Sequence, residues 1–300
     1  RHDEGAARRA VRRRPRRSVT SQDDLTMRRA VAEEAARAAG AVHMRYLGRS
    51  LERDIHNENR ADYTTEADIE SQNAVKQAIA LHFPDETVIG EEDIEARTRI
   101  GEMLDAGCWL TDPLDGTQEF AHTNIGFSCV VGYVGGGQPL AGAAYFPVLG
   151  ELFTAAAGLG ATLNGAPIHV SGVTRLERAL FATPQSNSST QERRDRFAER
   201  MLKLLPHIEG FRMPGSASQM VCGVAAGRYD LTAVLGARTG PAPDRPYAGQ
   251  PWETAAFLVI VQEAGGAVGS QDGGPADLLG YNAYAASQSL LDEYIALMAE

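Results

Sequence analysis

Cys108-Trp109-Leu110-Thr111-Asp112-Pro113-Leu114-Asp115-Gly116-Thr117 is the stretch on which the reading of this 300-residue chain turns. Cys108–Thr111 has the character of a buried strand, and it delivers Asp112 to its end, where Pro113 fixes the backbone. Asp115 follows three residues on, so both carboxylates turn toward one point. Gly116 permits close backbone approach, and Thr117 opens a helix whose free N–H groups face an anion. Oxygen ligands for a hard cation therefore adjoin an anion cradle. Mg²⁺, which takes few protein ligands and keeps waters, is the expected ion. An Asp-capped turn before a helix has the same local pattern, so the rest of the chain decides between them.

Working outward, three more segments place acids at the ends of elements. Gly90-Glu91-Glu92 follows a short strand over 87–90. Tyr63-Thr64-Thr65-Glu66-Ala67-Asp68 puts Asp68 at the entrance of a helix predicted from Glu66 to about His82, ended by Phe83-Pro84. Pro251-Trp252-Glu253-Thr254-Ala255-Ala256 puts Glu253 at the start of an apolar helix predicted over 254–264. Each alone reads as a solvated loop, a capping acid or a first-turn acid favoured by the helix dipole. All of them together, every one acidic and at an element end, indicate an assembled oxygen-ligand site.

The remaining chain supplies layers. A helix is expected over 24–47, capped by Asp23 or Asp24. From Phe127, short β-type runs at 127–134, 141–146 and 151–155 are parted by glycine-rich turns, as in an antiparallel meander. Gly135-Gly136-Gly137-Gln138-Pro139 lacks the Lys-Ser/Thr and helix of a phosphate loop and reads as a hairpin turn. Beyond about residue 172, helices (193–205, 221–226, 290–298) alternate with strands such as 231–234. The expectation is α+β followed by α/β in layers. The chain divides into a disordered basic tail over 1–22, an N-terminal α+β half over 23–172 that carries metal-binding motifs, and a C-terminal α/β half over 173–300.

Composition narrows the class. Residues 1–17 hold eight Arg and two acids, so the net charge of −10 less this +6 leaves −16 on the remainder. An acidic body repels phosphate backbones, which argues against nucleic acid as a partner. No run approaches the roughly 20 apolar residues that span a bilayer, so no membrane partner is expected. The three cysteines, Cys108, Cys129 and Cys222, form no C-x-x-C pair and read as reduced, buried thiols of a cytoplasmic protein. The Arg-rich start has no apolar run behind it and is not a secretory signal; a disordered basic tail is the leading reading and a transit peptide the alternative.

With these motifs in place, the chain resembles the inositol monophosphatases, members of the wider lithium-sensitive, magnesium-dependent sugar and nucleotide phosphatases. The resemblance spans roughly residues 24–300. Asp112–Phe120 (DPLDGTQEF) is similar to the first family motif, and Trp252–Ala256 with Glu263–Gly266 to the second. Ala61–Asp68, Gly90–Glu92 and Gly215-Ser216-Ala217 stand in the family's order. The resemblance implies an αβαβα sandwich of the inositol monophosphatase and fructose-1,6-bisphosphatase type, a homodimer, and two or three Mg²⁺ ions. It implies that Glu91, Asp112 and the Leu114 carbonyl hold one ion, and Asp112, Asp115 and Glu253 a second. Asp68 and Thr117, with Glu91, then activate water. The Gly116 and Thr117 amides receive phosphate oxygens, and Gly215, Ser216 and Ala217 border the alcohol of a small phosphorylated substrate. Two cations about 4 Å apart suit the slow hydrolysis of a phosphate monoester, which needs charge neutralisation and activated water but no covalent nucleophile.

Two departures stand out. Glu253 replaces the Asp usual in the second motif, and residues 236–249 are longer and richer in proline than the resemblance implies. Gln118-Glu119-Phe120 leans toward relatives acting on 3′-phosphoadenosine 5′-phosphate, whereas the spacing from Phe120 to Tyr133 resembles the inositol branch. Inositol monophosphate or a related sugar phosphate leads as substrate. The nucleotide, histidinol phosphate and a degenerate metal-binding role are the alternatives.

Overall fold

The computed structural model describes residues 21–49, 54–55, 63–93, 100–184, 190–237 and 249–299. The basic tail up to residue 20, residues 61–62 of the 61–68 motif and residues 238–248 of the proline-rich segment lie outside the described residues. The helices are α1 (Gln22–Tyr46), α2 (Glu66–His82), α3 (Ile100–Ala106), α4 (Thr117–Ala121), α5 (Gln191–Leu204), α6 (Ala217–Ala225), α7 (Pro251–Glu263) and α8 (Gln288–Ala299). A short antiparallel pair, β1 (Asp54–Ile55) and β2 (Tyr63–Thr64), leads into α2.

Alternation along the strands builds the larger sheet. Its order is β3 (Val88–Gly90), β4 (Cys108–Asp115), β5 (Ser128–Gly135), β6 (Gln138–Phe146), β7 (Glu151–Ala156), β8 (Ala161–Leu163) and β9 (Ala166–Pro167). Strand β3 pairs parallel with β4, and the rest is an antiparallel meander, as the glycine-rich turns require. Successive side chains leave a strand on opposite faces. Trp109, Cys129, Val131 and Tyr133 thus pack against Val31, Ala35, Val75 and Ile79 of α1 and α2. Leu110, Val130 and Val134 point the other way, into a core shared with α6 and α7.

The second sheet runs β11 (Gly210–Arg212), β10 (Leu180–Ala182), β12 (Leu231–Ala233), β14 (Asn282–Ala285) and β13 (Ala267–Ser270). Tyr284 and Val268 join the core around α7, while Phe181, Leu231, Ala283 and Ala285 pack with Leu204 of α5 and Leu290 and Tyr294 of α8. The layers are therefore αβαβα, as expected. Helix α7 lies between two sheets, which is why its sequence is apolar on every side and shows no polar stripe. Cys108, Cys129 and Cys222 are buried and free, and burial pushes the Cys108 and Cys129 thiols up to about 12. No helix among the described residues is long and apolar enough to cross a membrane.

Two local expectations are corrected. Helix α1 is capped by Ser21, whose Oγ accepts from the Asp24 N–H at 3.1 Å, rather than by Asp23 or Asp24. Those acids instead occupy the first turn, where the helix dipole favours them. Strand β4 does not stop before Pro113 but continues to Asp115, because a bulge accommodates the proline.

Helix α7 rests on the larger sheet through bare backbone. Gly132 and Gly142 are cross-strand partners on β5 and β6. A Cβ at 132 would stand 2.8 Å from both the Ala255 Cβ and the Ala256 nitrogen, and one at 142 would stand 2.8 Å from the Ala256 Cα. Gly132→Ala must push the helix off the sheet, and overpacking of this kind costs about 1–3 kcal/mol. Urea unfolding is expected to show that loss. An unchanged midpoint would mean the helix sits further from the sheet than described.

Candidate metal centre and active site

The site is built where β4 ends. Asp112 pairs with Val130 but Asp115 with Ser128, so β4 takes three steps while β5 takes two. The extra residue makes a β-bulge, which kinks the strand and re-aims its side chains. The Asp112 Oδ1 accepts from the Leu114 N–H at 3.0 Å, and the Thr117 Oγ1, with one proton to donate, stands 3.2 Å from both the Leu114 carbonyl oxygen and the Asp68 Oδ1. Gly116 then turns the chain into α4 with φ of 89°, a left-handed conformation that favours glycine. Both Asp112 and Asp115 are buried there.

The neighbouring elements bring further acids. The Glu91 N–H donates to the Thr111 carbonyl at 3.0 Å, which sets Glu91 beside the end of β4. The turn carrying it is clamped from α2: the Gln72 Oε1 accepts from the Glu92 N–H at 3.1 Å. Asp93 accepts from the Gly90 N–H at 2.8 Å and the Lys76 Nζ at 2.7 Å. Glu253 enters on the first turn of α7 and is half-buried. Carboxylate oxygens of Asp112, Asp115 and Glu253 all lie within 4.8 Å of one another. Glu91 is outside that group but close enough to act electrostatically on Asp112.

Crowding of acids in a dry site shows in their protonation. Burial first, then the charges of Glu91, Asp115 and Glu253, push the Asp112 carboxyl well above the usual carboxylate range. Burial also raises Asp115, opposed by hydrogen bonds from Ser218 and its neighbours, among them the Ser218 N–H at 2.7 Å. Anions gathered at this density call for a cation, and an all-oxygen donor set suits a hard one.

Asp68 is outside that group of carboxylates and reaches the same loop through Thr117. It is buried, its Oδ2 accepts from the Thr65 N–H at 2.7 Å and the Thr65 Oγ1 at 2.5 Å, and its Oδ1 accepts from the Thr117 Oγ1 at 3.2 Å. Burial, outweighing the Thr65 hydrogen bonds, pushes its pKa up to about 7. Across the site Ser216 caps α6, and its Oγ reaches the Gly126 carbonyl at 2.5 Å. Gly215, at φ of 113°, leaves open the space that the Glu119 carboxylate fills, 2.5 Å from where a Cβ would stand.

Sequence reasoning did not single out Ser218, Thr65, Gln72, Asp93 or His43, all of which hold the site's loops. Only Thr65, three residues before Asp68, carried a local signal, that of a capping box.

A five-layer αβαβα sandwich with carboxylates converging at a bulged strand end, next to a Thr–Asp pair, defines a metal-dependent phosphatase. The chain belongs to the inositol monophosphatase family, whose model matches residues 24–300. It is 35% identical over 271 residues to inositol monophosphatase 3 of Solanum lycopersicum, covering 90% of this chain and 96% of that one. It is 35% identical over 263 residues to the inositol-1-monophosphatase of Synechocystis sp., covering 87% and 84%. Among solved structures, the inositol monophosphatase from Anabaena superposes with a TM-score of 0.73 at 30% identity, covering 93% of this chain and 97% of that one. The chain is a phosphoric monoester hydrolase of this family.

Proposed function

We propose that the chain releases phosphate from a small polyol or sugar monophosphate, inositol monophosphate foremost, with Mg²⁺ held by its acidic cluster. The observation that carries this is the convergence of Asp112, Asp115 and Glu253 within 4.8 Å. Asp112, Asp115 and Glu253 would hold one ion, and Glu91, Asp112 and the Leu114 carbonyl another. Bound Mg²⁺ sets positive charge against the phosphate dianion and acidifies water.

The chain's own groups do the rest. Asp68, held through Oδ2 by Thr65, fixes the Thr117 hydroxyl through Oδ1. The Thr117 oxygen accepts a hydrogen bond from the attacking water and hands its own proton to Asp68 as it takes the water's. First-turn amides have no carbonyl partner within their helix, so the Gly116 and Thr117 N–H groups are suited to phosphate oxygens. Gly215, Ser216 and Ala217, which face Glu119 and Asp115 across the site, border the leaving alcohol.

The same reading divides the chain near residue 172, with Glu91, Asp112 and Asp115 supplied by the first half and Glu253 by the second. A cytoplasmic location is supported by the free, buried cysteines. Homodimerisation and lithium sensitivity rest on the family resemblance.

Phosphate release from inositol 1-phosphate, fructose 1,6-bisphosphate, 3′-phosphoadenosine 5′-phosphate and histidinol phosphate, with and without Mg²⁺, tests the proposal. Mg²⁺-dependent release from a polyol or sugar phosphate is expected. A preference for the nucleotide or histidinol phosphate overturns the substrate class, and no release from any of them overturns the activity.

A further inference from the structure

His43, on α1, is fully buried. Its Nε2 is 2.8 Å from the Pro113 carbonyl oxygen. A carbonyl only accepts, so Nε2 carries the proton and donates. Nδ1 is then a bare acceptor, and among the described residues it has no hydrogen-bond partner. Burial pushes the imidazole down to about 4, so the ring stays neutral. Phe120 and Phe127 enclose it at centroid distances of 6.0 and 5.6 Å. An apolar side chain would fill this place without stranding a nitrogen, and a stranded polar atom is costly. What histidine adds is the donor to Pro113.

That donor meets the bulge at its middle. Between Asp112 and Asp115 the ladder to β5 slips by one residue, and a bulged residue is left without its regular partner. The other hydrogen bonds given above for residues 112–117 are mostly local: Leu114 to Asp112, and Thr117 to Leu114. Three bonds tie the loop to other elements, from Ser218 of α6 to Asp115, from His43 of α1 to Pro113 and from Thr117 to Asp68 of α2. The second spans 70 residues of sequence.

We propose that His43 is a positioning residue for the metal centre: its Nε2–H holds the bulge that aims Asp112, the Leu114 carbonyl and Asp115 into one site. This rests on the metal-site reading above. It assigns no contact between His43 and an ion or substrate. Partners one step behind metal ligands set ligand orientation, and their loss typically weakens metal affinity about 10–100-fold.

The test measures Mn²⁺ binding to the full chain by the loss of the free-ion electron paramagnetic resonance signal, with melting in EDTA as the check on folding. His43→Phe fills the space without a donor and is expected to weaken Mn²⁺ binding about 10–100-fold. His43→Gln can place an amide N–H near the Nε2 position and is expected to bind Mn²⁺ like the wild type. His43→Asn, one methylene shorter, is expected to behave like His43→Phe. If His43→Phe fails to fold, the Gln and Asn pair carries the comparison. Wild-type Mn²⁺ binding by the Phe and Asn variants, with binding lost in Asp112→Asn, overturns the role of His43 alone. Equal weakening by Gln and Phe also overturns it, because ring packing rather than the donor would then be at work. Wild-type Mn²⁺ binding by Asp112→Asn removes the metal-site reading, and the role of His43 with it.

Discussion

Asp112→Asn is expected to lose turnover by at least about 10²–10³-fold, the usual cost of removing one preorganised electrostatic group, while melting above the wild type in EDTA. The amide keeps an oxygen for the Leu114 N–H, so the local turn survives. It removes a carboxyl that burial and the charges of Glu91, Asp115 and Glu253 hold well above its ordinary value. In the unfolded chain that carboxyl ionises near 3.8. As pH rises past that point, the unfolded state sheds a proton that the folded state retains, so wild-type stability falls with rising pH. The advantage of Asn is therefore absent in strong acid and widens toward neutrality. Each kcal/mol recovered raises the melting temperature by about 2–4 °C in domains of 150–250 residues. Parallel melts at pH 4 and pH 7 in EDTA, with turnover at saturating Mg²⁺, read both effects. A variant that stays active, or that melts below the wild type at neutral pH, would falsify the picture of a repulsive cluster built for a cation. The charge crowding at Asp112 would then not be what the fold or the chemistry turns on.

The parts of the fold that were legible carry local chemical marks. Helix α2 is legible at both ends, with Asp68 at its entrance and Phe83-Pro84 stopping the chain. The meander was legible because glycines separate its β-type runs. Strand β4 was cut short because proline in a strand usually marks an end, and nothing local to Pro113 reveals that a bulge will accommodate it. Strands β8 and β9 are only two or three residues long and exist through pairing, β8 with β7 and β9 with β8, a tertiary cause without a local pattern. The same divide runs through the site. Asp68, Glu91, Asp112, Asp115 and Glu253 are acids at element ends, and that placement is visible in the chain. Ser218 meets Asp115 through both its hydroxyl and its backbone N–H, but its partner lies 103 residues away, so nothing local marks it. His43 interrupts the apolar face of α1 as any polar residue does, and its partner lies 70 residues away.

Glu253→Ala is expected to reduce turnover by about 10²-fold or more and to raise the Mg²⁺ concentration needed for half-activity. Glu253→Asp is expected to keep both near the wild type. The reasoning starts from position. Glu253 sits on the first turn of α7, a helix fixed against the larger sheet by backbone contact at Gly132 and Gly142, so its Cα cannot drift. Its carboxylate lies within 4.8 Å of those of Asp112 and Asp115, and its charge helps raise both Asp112 and the buried Tyr284. Mg²⁺ accepts oxygen at about 2.0–2.1 Å in near-octahedral geometry. A glutamate arm meets that demand only by folding back, whereas aspartate, one methylene shorter, reaches in with fewer torsions to fix. Alanine offers no oxygen at all. A first-turn acid that merely answers the helix dipole predicts something else: a stability loss of about 0.3–1 kcal/mol, the same Mg²⁺ curve, and no distinction between Ala and Asp in turnover. Titrating Mg²⁺ against turnover for both variants, alongside melts in EDTA, separates the two. An unchanged Mg²⁺ curve in Glu253→Ala would remove Glu253 from the metal centre and leave Asp112, Asp115 and Glu91 as the carboxylates assigned to it.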